Sequence, residues 1–71
     1  MNPRAYEVDI FPLSEADGGG FAAVAPELPG CRSDGATPEE ALTNIYDAIA
    51  CWIEAARAMG RAIPQPRRIA A

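Results

Sequence analysis

Residues 6–11 alternate in character, with Tyr6, Val8 and Ile10 on one side and Glu7, Asp9 and Phe11 on the other. A period of two is the signature of a half-buried strand. Pro12 then removes a backbone donor and restricts pairing beyond it. Residues 14–20 read as a turn ending in Asp17-Gly18-Gly19-Gly20, and Phe21-Ala22-Ala23-Val24-Ala25 reads as a second strand. Glycines there supply the positive φ that tight hairpins need. A Gly-rich loop that cradles phosphate requires a strand before it and a helix after it; here a strand follows, so the loop is read as a hairpin. Pro26-Glu27-Leu28-Pro29-Gly30 makes a second, rigid break. Residues 31–36 then form a short third strand of weak alternation, bending at Asp34-Gly35.

The pattern changes period at Thr37-Pro38-Glu39-Glu40. Thr37 is placed to accept from an orphan N–H of the first helical turn, and Pro38 suits the first helical position. Glu40, three residues after the cap, is placed to reach back to the cap's own N–H. Projected at 100° per residue, Leu42, Ile45, Ile49, Trp52, Ile53 and Ala56 share one face, flanked by Ala41, Tyr46 and Met59. The helix is predicted to run to about Met59, with Gly60 as its left-handed stop. Asn44, Ala48, Cys51, Ala55 and Ala58 form a stripe of small residues on the opposite face. It reads as a solvated face of good helix formers or as the seat of a second helix. Beyond Gly60, Ile63 is expected in a brief closing extended segment, Pro64-Gln65-Pro66 favours extended backbone, and Arg67-Arg68 makes a small basic tail. The chain, 1–71, is thus read as one α+β domain with a core over 6–66: a three-stranded antiparallel sheet, one long helix across it and a short closing strand.

Composition narrows the function. Seventy-one residues suffice for one domain of limited core. The net charge of -4 gives no electrostatic footprint for direct nucleic-acid binding and suits a basic partner. There is no histidine, which removes the commonest general base and metal ligand. Cys31 and Cys51 have neither CxxC spacing nor other ligand residues beside them, so no metal, cofactor or disulfide framework is expected and both are read as reduced thiols. Without a signal-like N-terminus or an apolar run long enough for a membrane, a cytoplasmic protein is expected.

The ordered set of Tyr6-Glu7-Val8-Asp9-Ile10, the Gly-rich hairpin, Pro26-x-Leu28-Pro29-Gly30-Cys31, Gly35-x-Thr37-x-Glu39-Glu40-Ala41-Leu42, a long helix and a closing Gly60 resembles the HicB family of antitoxins. Pro26, Leu28, Pro29, Gly30, Gly35, Thr37 and Glu40 carry the resemblance as structural positions. It implies a partial ribonuclease H-like fold without catalytic apparatus. It also implies a partner: a small basic toxin that cleaves messenger RNA and whose active surface the domain covers. Many family members add a C-terminal DNA-binding domain. No such domain is visible up to Ala71, which leaves open a stand-alone member or a fragment.

Three functions are weighed. As a protein-binding antitoxin and not an enzyme, the chain would present Glu7, Asp9 and Phe11, with Glu27 and Asp34 from adjoining loops, as its contact patch. The same row reads equally as a solvated sheet face with one exposed aromatic. As a nuclease, Glu7, Asp9 and Asp34 would have to converge on Mg²⁺, and no third carboxylate has a secure position. As an orphan scaffold, the domain would form a homo-oligomer through its thin core and small helix stripe.

Overall fold

The computed structural model describes residues 2–66, so the Arg67-Arg68 tail lies outside the described residues. It shows the α+β architecture expected: strands β1 (Asp9–Pro12), β2 (Phe21–Val24) and β3 (Arg32–Gly35), then helix α1 (Pro38–Ala58). The sheet is antiparallel in the order β1-β2-β3. Single 3-10 turns at Pro3–Ala5 and Glu15–Asp17 precede β1 and occupy the hairpin loop.

Strand boundaries are tighter than the alternation suggested. Tyr6 and Val8 precede β1 yet still turn inward: Tyr6 is buried and Val8 packs on the core. Tyr6 lies outside the ladder, and its hydroxyl donates to the Pro64 carbonyl at 2.6 Å, tying the N-terminal segment to the C-terminal one. Ile63 packs on the core as expected, but the described residues 61–66 form no strand. Pro64 and Pro66 lack the N–H groups a ladder would need.

The core consists of Ile45, Ile49 and Ile53 from α1, Leu28 from the connecting loop, and Tyr6, Ala23, Ala25, Cys31 and Ala41 around them. Each large aliphatic side chain contributes roughly 1.5–3 kcal/mol on burial. The alanines let the helix lie close to the sheet, and two glycines carry this further. A Cβ on Gly35 would stand 2.5 Å from the Ala41 nitrogen and 2.8 Å from the Glu40 carbonyl carbon, so the first turn of α1 rests directly on the backbone of β3. Gly20, with φ +73°, lies against the Gly35 carbonyl oxygen, which a Cβ would approach to 2.6 Å. Helix α1 therefore packs chiefly on β3 and β2. Met59, expected to flank the apolar stripe, is 62% exposed at the C-cap of the helix.

The helix start follows the sequence with one change. Thr37 Oγ1 accepts from the Glu40 N–H at 3.1 Å. Glu40 reaches back past the cap residue, however, and Oε1 accepts from the Ala36 N–H at 2.8 Å. The close approach of Gly35 to Glu40 brings the residue before the cap within its range. Thr37→Ala is expected to lower stability by about 1 kcal/mol, read as a lower urea midpoint at unchanged slope. The helix closes with Gly60 at φ +69° and the Arg61 N–H bonded to the Ala56 carbonyl at 2.8 Å, a Schellman ending. On the stripe opposite the core, Asn44 and Ala48 are half-buried, where a solvated face was expected. Asn44 Nδ2 donates to the Asp34 carbonyl and Ala48 packs against the core edge.

Candidate functional site

The candidate surface is the sheet face turned away from α1. Register assigns its members. Ala23 and Phe21 belong to the helix side, so their partners Ile10, Ser33 and Gly35 do as well. The opposite face therefore carries two cross-strand rows, Asp9–Val24–Arg32 and Phe11–Ala22–Asp34. No helix among the described residues covers it. Phe11 is 41% exposed, and Asp9, Arg32 and Asp34 are exposed around it. Ala22 is buried even so, as the small residue at the centre of its row. A shallow hollow of about 570 Å³ beside Ala22 is lined by Leu13, Asp17, Arg32, Ser33 and Asp34.

The five candidate residues thus separate. Asp9, Phe11 and Asp34 share this face; Asp34 does so as a member of β3, not as a loop residue. Glu7 is exposed just before β1. Glu27 plays a different part, being half-buried with its Oε1 accepting the Glu7 N–H at 3.0 Å. It fixes where β1 begins instead of presenting a bare carboxylate. Arg32, the cation of this face, escaped the sequence reading. Extending the alternation of residues 31–36 to both faces would have placed it beside Asp34.

The loop holding Glu27 explains the Pro-x-Leu-Pro-Gly-Cys segment physically. It is two successive β-turns. The Leu28 N–H bonds to the Ala25 carbonyl, and the Cys31 N–H to the Leu28 carbonyl, each at 3.0 Å. Pro26 and Pro29 occupy the second position of each turn, where fixed φ is favourable, and Gly30 at φ +77° takes the third position of the second. The Ala25 N–H to Cys31 carbonyl bond closes the loop. Leu28 points inward at 1% exposure, and Trp52 Nε1 of α1 donates to the Pro29 carbonyl at 3.0 Å. The Arg4 guanidinium lies 4.9 Å from the Tyr46 ring centroid, a cation–π contact.

Two groups beside this loop have shifted titrations. Burial raises the Tyr6 hydroxyl above its ordinary value, and the Glu27 charge raises it further. Burial alone raises the Cys31 thiol. In the unfolded chain both release their protons at lower pH than in the folded one. Their contribution to stability is therefore complete below the ordinary thiol and phenol values and is lost as pH rises through the raised ones. The melting temperature is expected to hold between about pH 6 and 8 and to fall above about pH 9. Tyr6→Phe should flatten the upper part of that fall, and a melting temperature that rises above pH 9 would contradict the assignment.

Among the described residues, no three His, Cys, Asp or Glu side chains converge closely enough to hold a metal ion. Glu7, Asp9 and Asp34 are not part of such a group. Among the same residues no helix is long and apolar enough to cross a membrane. The arrangement offers an open, mostly acidic sheet face with an aromatic on it, suited to contact with another macromolecule.

Comparison with known proteins agrees with this geometry. The sequence model described as "HicB_like antitoxin of bacterial toxin-antitoxin system" matches residues 6–71. A UPF0150 protein of Synechocystis sp., ssr1765, is 40% identical over 62 residues, covering 87% of this chain and 77% of the relative. A UPF0150 protein of Thermoplasma acidophilum, Ta0767, is 36% identical over 53 residues, covering 75% and 77%. No solved structure matches significantly. The match over nearly the whole chain, together with the paired turns around Leu28 and the Gly35–Thr37–Glu40 junction, places the protein: it belongs to the HicB-like antitoxin family of bacterial toxin–antitoxin systems.

Proposed function

We propose that the chain is a protein-binding antitoxin domain that neutralises a small, basic, mRNA-cleaving toxin by covering its active surface. The observation that carries this reading is the open sheet face, on which Phe11 stands exposed between carboxylates. An exposed aromatic ringed by charge is a typical anchor of a protein interface. The net charge of -4 favours a basic partner over nucleic acid. The domain works without a cofactor, and in the cytoplasm where such a toxin meets its RNA.

The test is co-expression with the small basic protein encoded beside it. Co-purification and relief of growth arrest are expected. Replacing Phe11 with serine and Asp9 with lysine together should weaken the complex by roughly 30-fold or more while leaving the melting temperature within a few degrees. Absence of a complex would refute the reading. A second reading, an orphan domain that only self-associates, is favoured by the exposure of both Ile10 and Phe11 on one strand. A purified chain that is a stable homo-oligomer yet binds no basic RNA-binding partner would favour the second.

A further inference from the structure

The outer side of β3 has a definite hydrogen-bonding pattern. The Ala25 N–H bonds to the Cys31 carbonyl at 3.0 Å, continuing the register in which Ala23 faces Ser33 and Phe21 faces Gly35. Bonding directions alternate along an antiparallel strand. Cys31, Ser33 and Gly35 therefore turn their backbone groups toward β2, while Arg32 and Asp34 turn theirs away from it. Among the described residues β3 ends the sheet on the side opposite β1. The segment after the helix is tied elsewhere, to Tyr6 just before β1. Among the described residues the Asp34 carbonyl has one partner, Asn44 Nδ2 of α1 at 2.8 Å, and a carbonyl oxygen has a second lone pair to offer.

Charge decides what fits there. The side chains of Arg32 and Asp34, one of each sign, stand exposed along this strand on the open face. A second copy pairing antiparallel about Ser33 sets Arg32 opposite the partner's Asp34, and Asp34 opposite the partner's Arg32. Each is a hydrogen-bonded pair, exchanging both N–H groups for both carbonyls, and each joins opposite charges. A pairing centred on Arg32 or on Asp34 would instead set like charges face to face. A strand rich in lysine or arginine would meet Arg32, so the edge suits a second copy better than a basic protein.

The helix agrees with this arrangement. Asn44 reaches the Asp34 carbonyl, so its side of α1 overlooks the outer groups of β3. Ala48, Cys51 and Ala55 follow Asn44 at helical spacing on that side. Helix α1 packs chiefly on β3 and β2. With strands about 4.8 Å apart, two such helices lie roughly 10 Å apart across the dyad, a distance at which helices pack.

We infer that the outer side of β3 is a dimer interface, at which a second copy of this chain extends the sheet to six strands about Ser33. The inference goes beyond the antitoxin reading and does not rest on it. In the dimer Arg32 and Asp34 pair across the dyad, and Asp9 and Phe11 remain for a basic partner.

The test is sedimentation of the purified chain, with amide hydrogen exchange read by NMR. A reversible dimer is expected, in which the Arg32 and Asp34 amides slow as concentration rises. Arg32→Asp or Asp34→Arg alone places like charges opposite each other twice and should weaken the dimer about tenfold or more. The two substitutions together restore opposite charges and should restore the dimer, which a damaged fold would not do. A chain that stays monomeric overturns the inference, as does a dimer indifferent to both single reversals. Protection of the Arg32 and Asp34 amides that does not depend on concentration assigns this edge to the chain's own residues and overturns it as well. If a single variant loses its cooperative melt, the exchange of the parent chain decides.

Discussion

Gly35→Val is expected to leave little folded protein at 25 °C. A domain of 71 residues has a stability of about 4–11 kcal/mol at the usual 0.05–0.15 kcal/mol per residue. A Cβ at position 35 would lie 2.5 Å from the Ala41 nitrogen, 2.8 Å from the Glu40 carbonyl carbon and 2.9 Å from the Glu40 Cβ. Two of those three atoms are helix backbone, which cannot step aside as a flexible side chain does. The first turn of α1 must lift from β3, which strains the Glu40–Ala36 and Thr37–Glu40 bonds that start the helix. Overpacking typically costs about 1–3 kcal/mol and more where backbone must shift. Gly35→Ala should lower the melting temperature by roughly 10–20 °C. The valine variant adds two methyl groups at the same contact and should lose its cooperative circular-dichroism transition. A melting temperature within a few degrees of the parent for either variant would show that the helix does not rest on Gly35.

Leu28→Ala is expected to cost about 2–5 kcal/mol, the usual range for emptying a buried leucine site. Leu28 is 1% exposed and stands where the two turns of the loop meet, so its loss reaches beyond a cavity. The same loop holds Glu27 against the Glu7 amide and Pro29 against Trp52. Loosening it should free the start of β1. In conditions where the variant remains folded, the Glu7 amide should exchange markedly faster and partner affinity should fall, although Leu28 itself lies in the core. Pro29→Ala, at an exposed turn position, should change stability far less. Equal effects of the two substitutions in urea unfolding would contradict the assignment of Leu28 as the loop's anchor.

The elements were legible where local chemistry fixes them. Thr37, Pro38 and Glu40 announce a helix start through capping alone, and the spacing of Ile45, Ile49 and Ile53 defines the buried face without knowledge of its neighbour. Legibility failed where a distant residue decides. Nothing near Glu27 in sequence shows that its carboxylate serves the Glu7 amide twenty residues earlier. The residues after Gly60 suggest a closing strand until Tyr6 is seen to hold the Pro64 carbonyl. Asn44 reads as part of a small, solvated stripe because its partner, the Asp34 carbonyl, lies on another element. On the candidate surface, the alternation of residues 6–11 placed Asp9 and Phe11 on one face. The weak alternation of residues 31–36 does not signal that Arg32, two residues before Asp34, shares its face.

Inhibition of the partner's RNA cleavage tests the proposed function most directly. A small basic protein encoded beside this chain would be purified and tested for cleavage of messenger RNA as the chain is added. The antitoxin reading predicts cleavage that falls in proportion to added chain and stops at a fixed stoichiometry, with the Phe11→Ser, Asp9→Lys double variant requiring far higher concentrations. Cleavage that continues at full rate with the chain bound and in excess would contradict it.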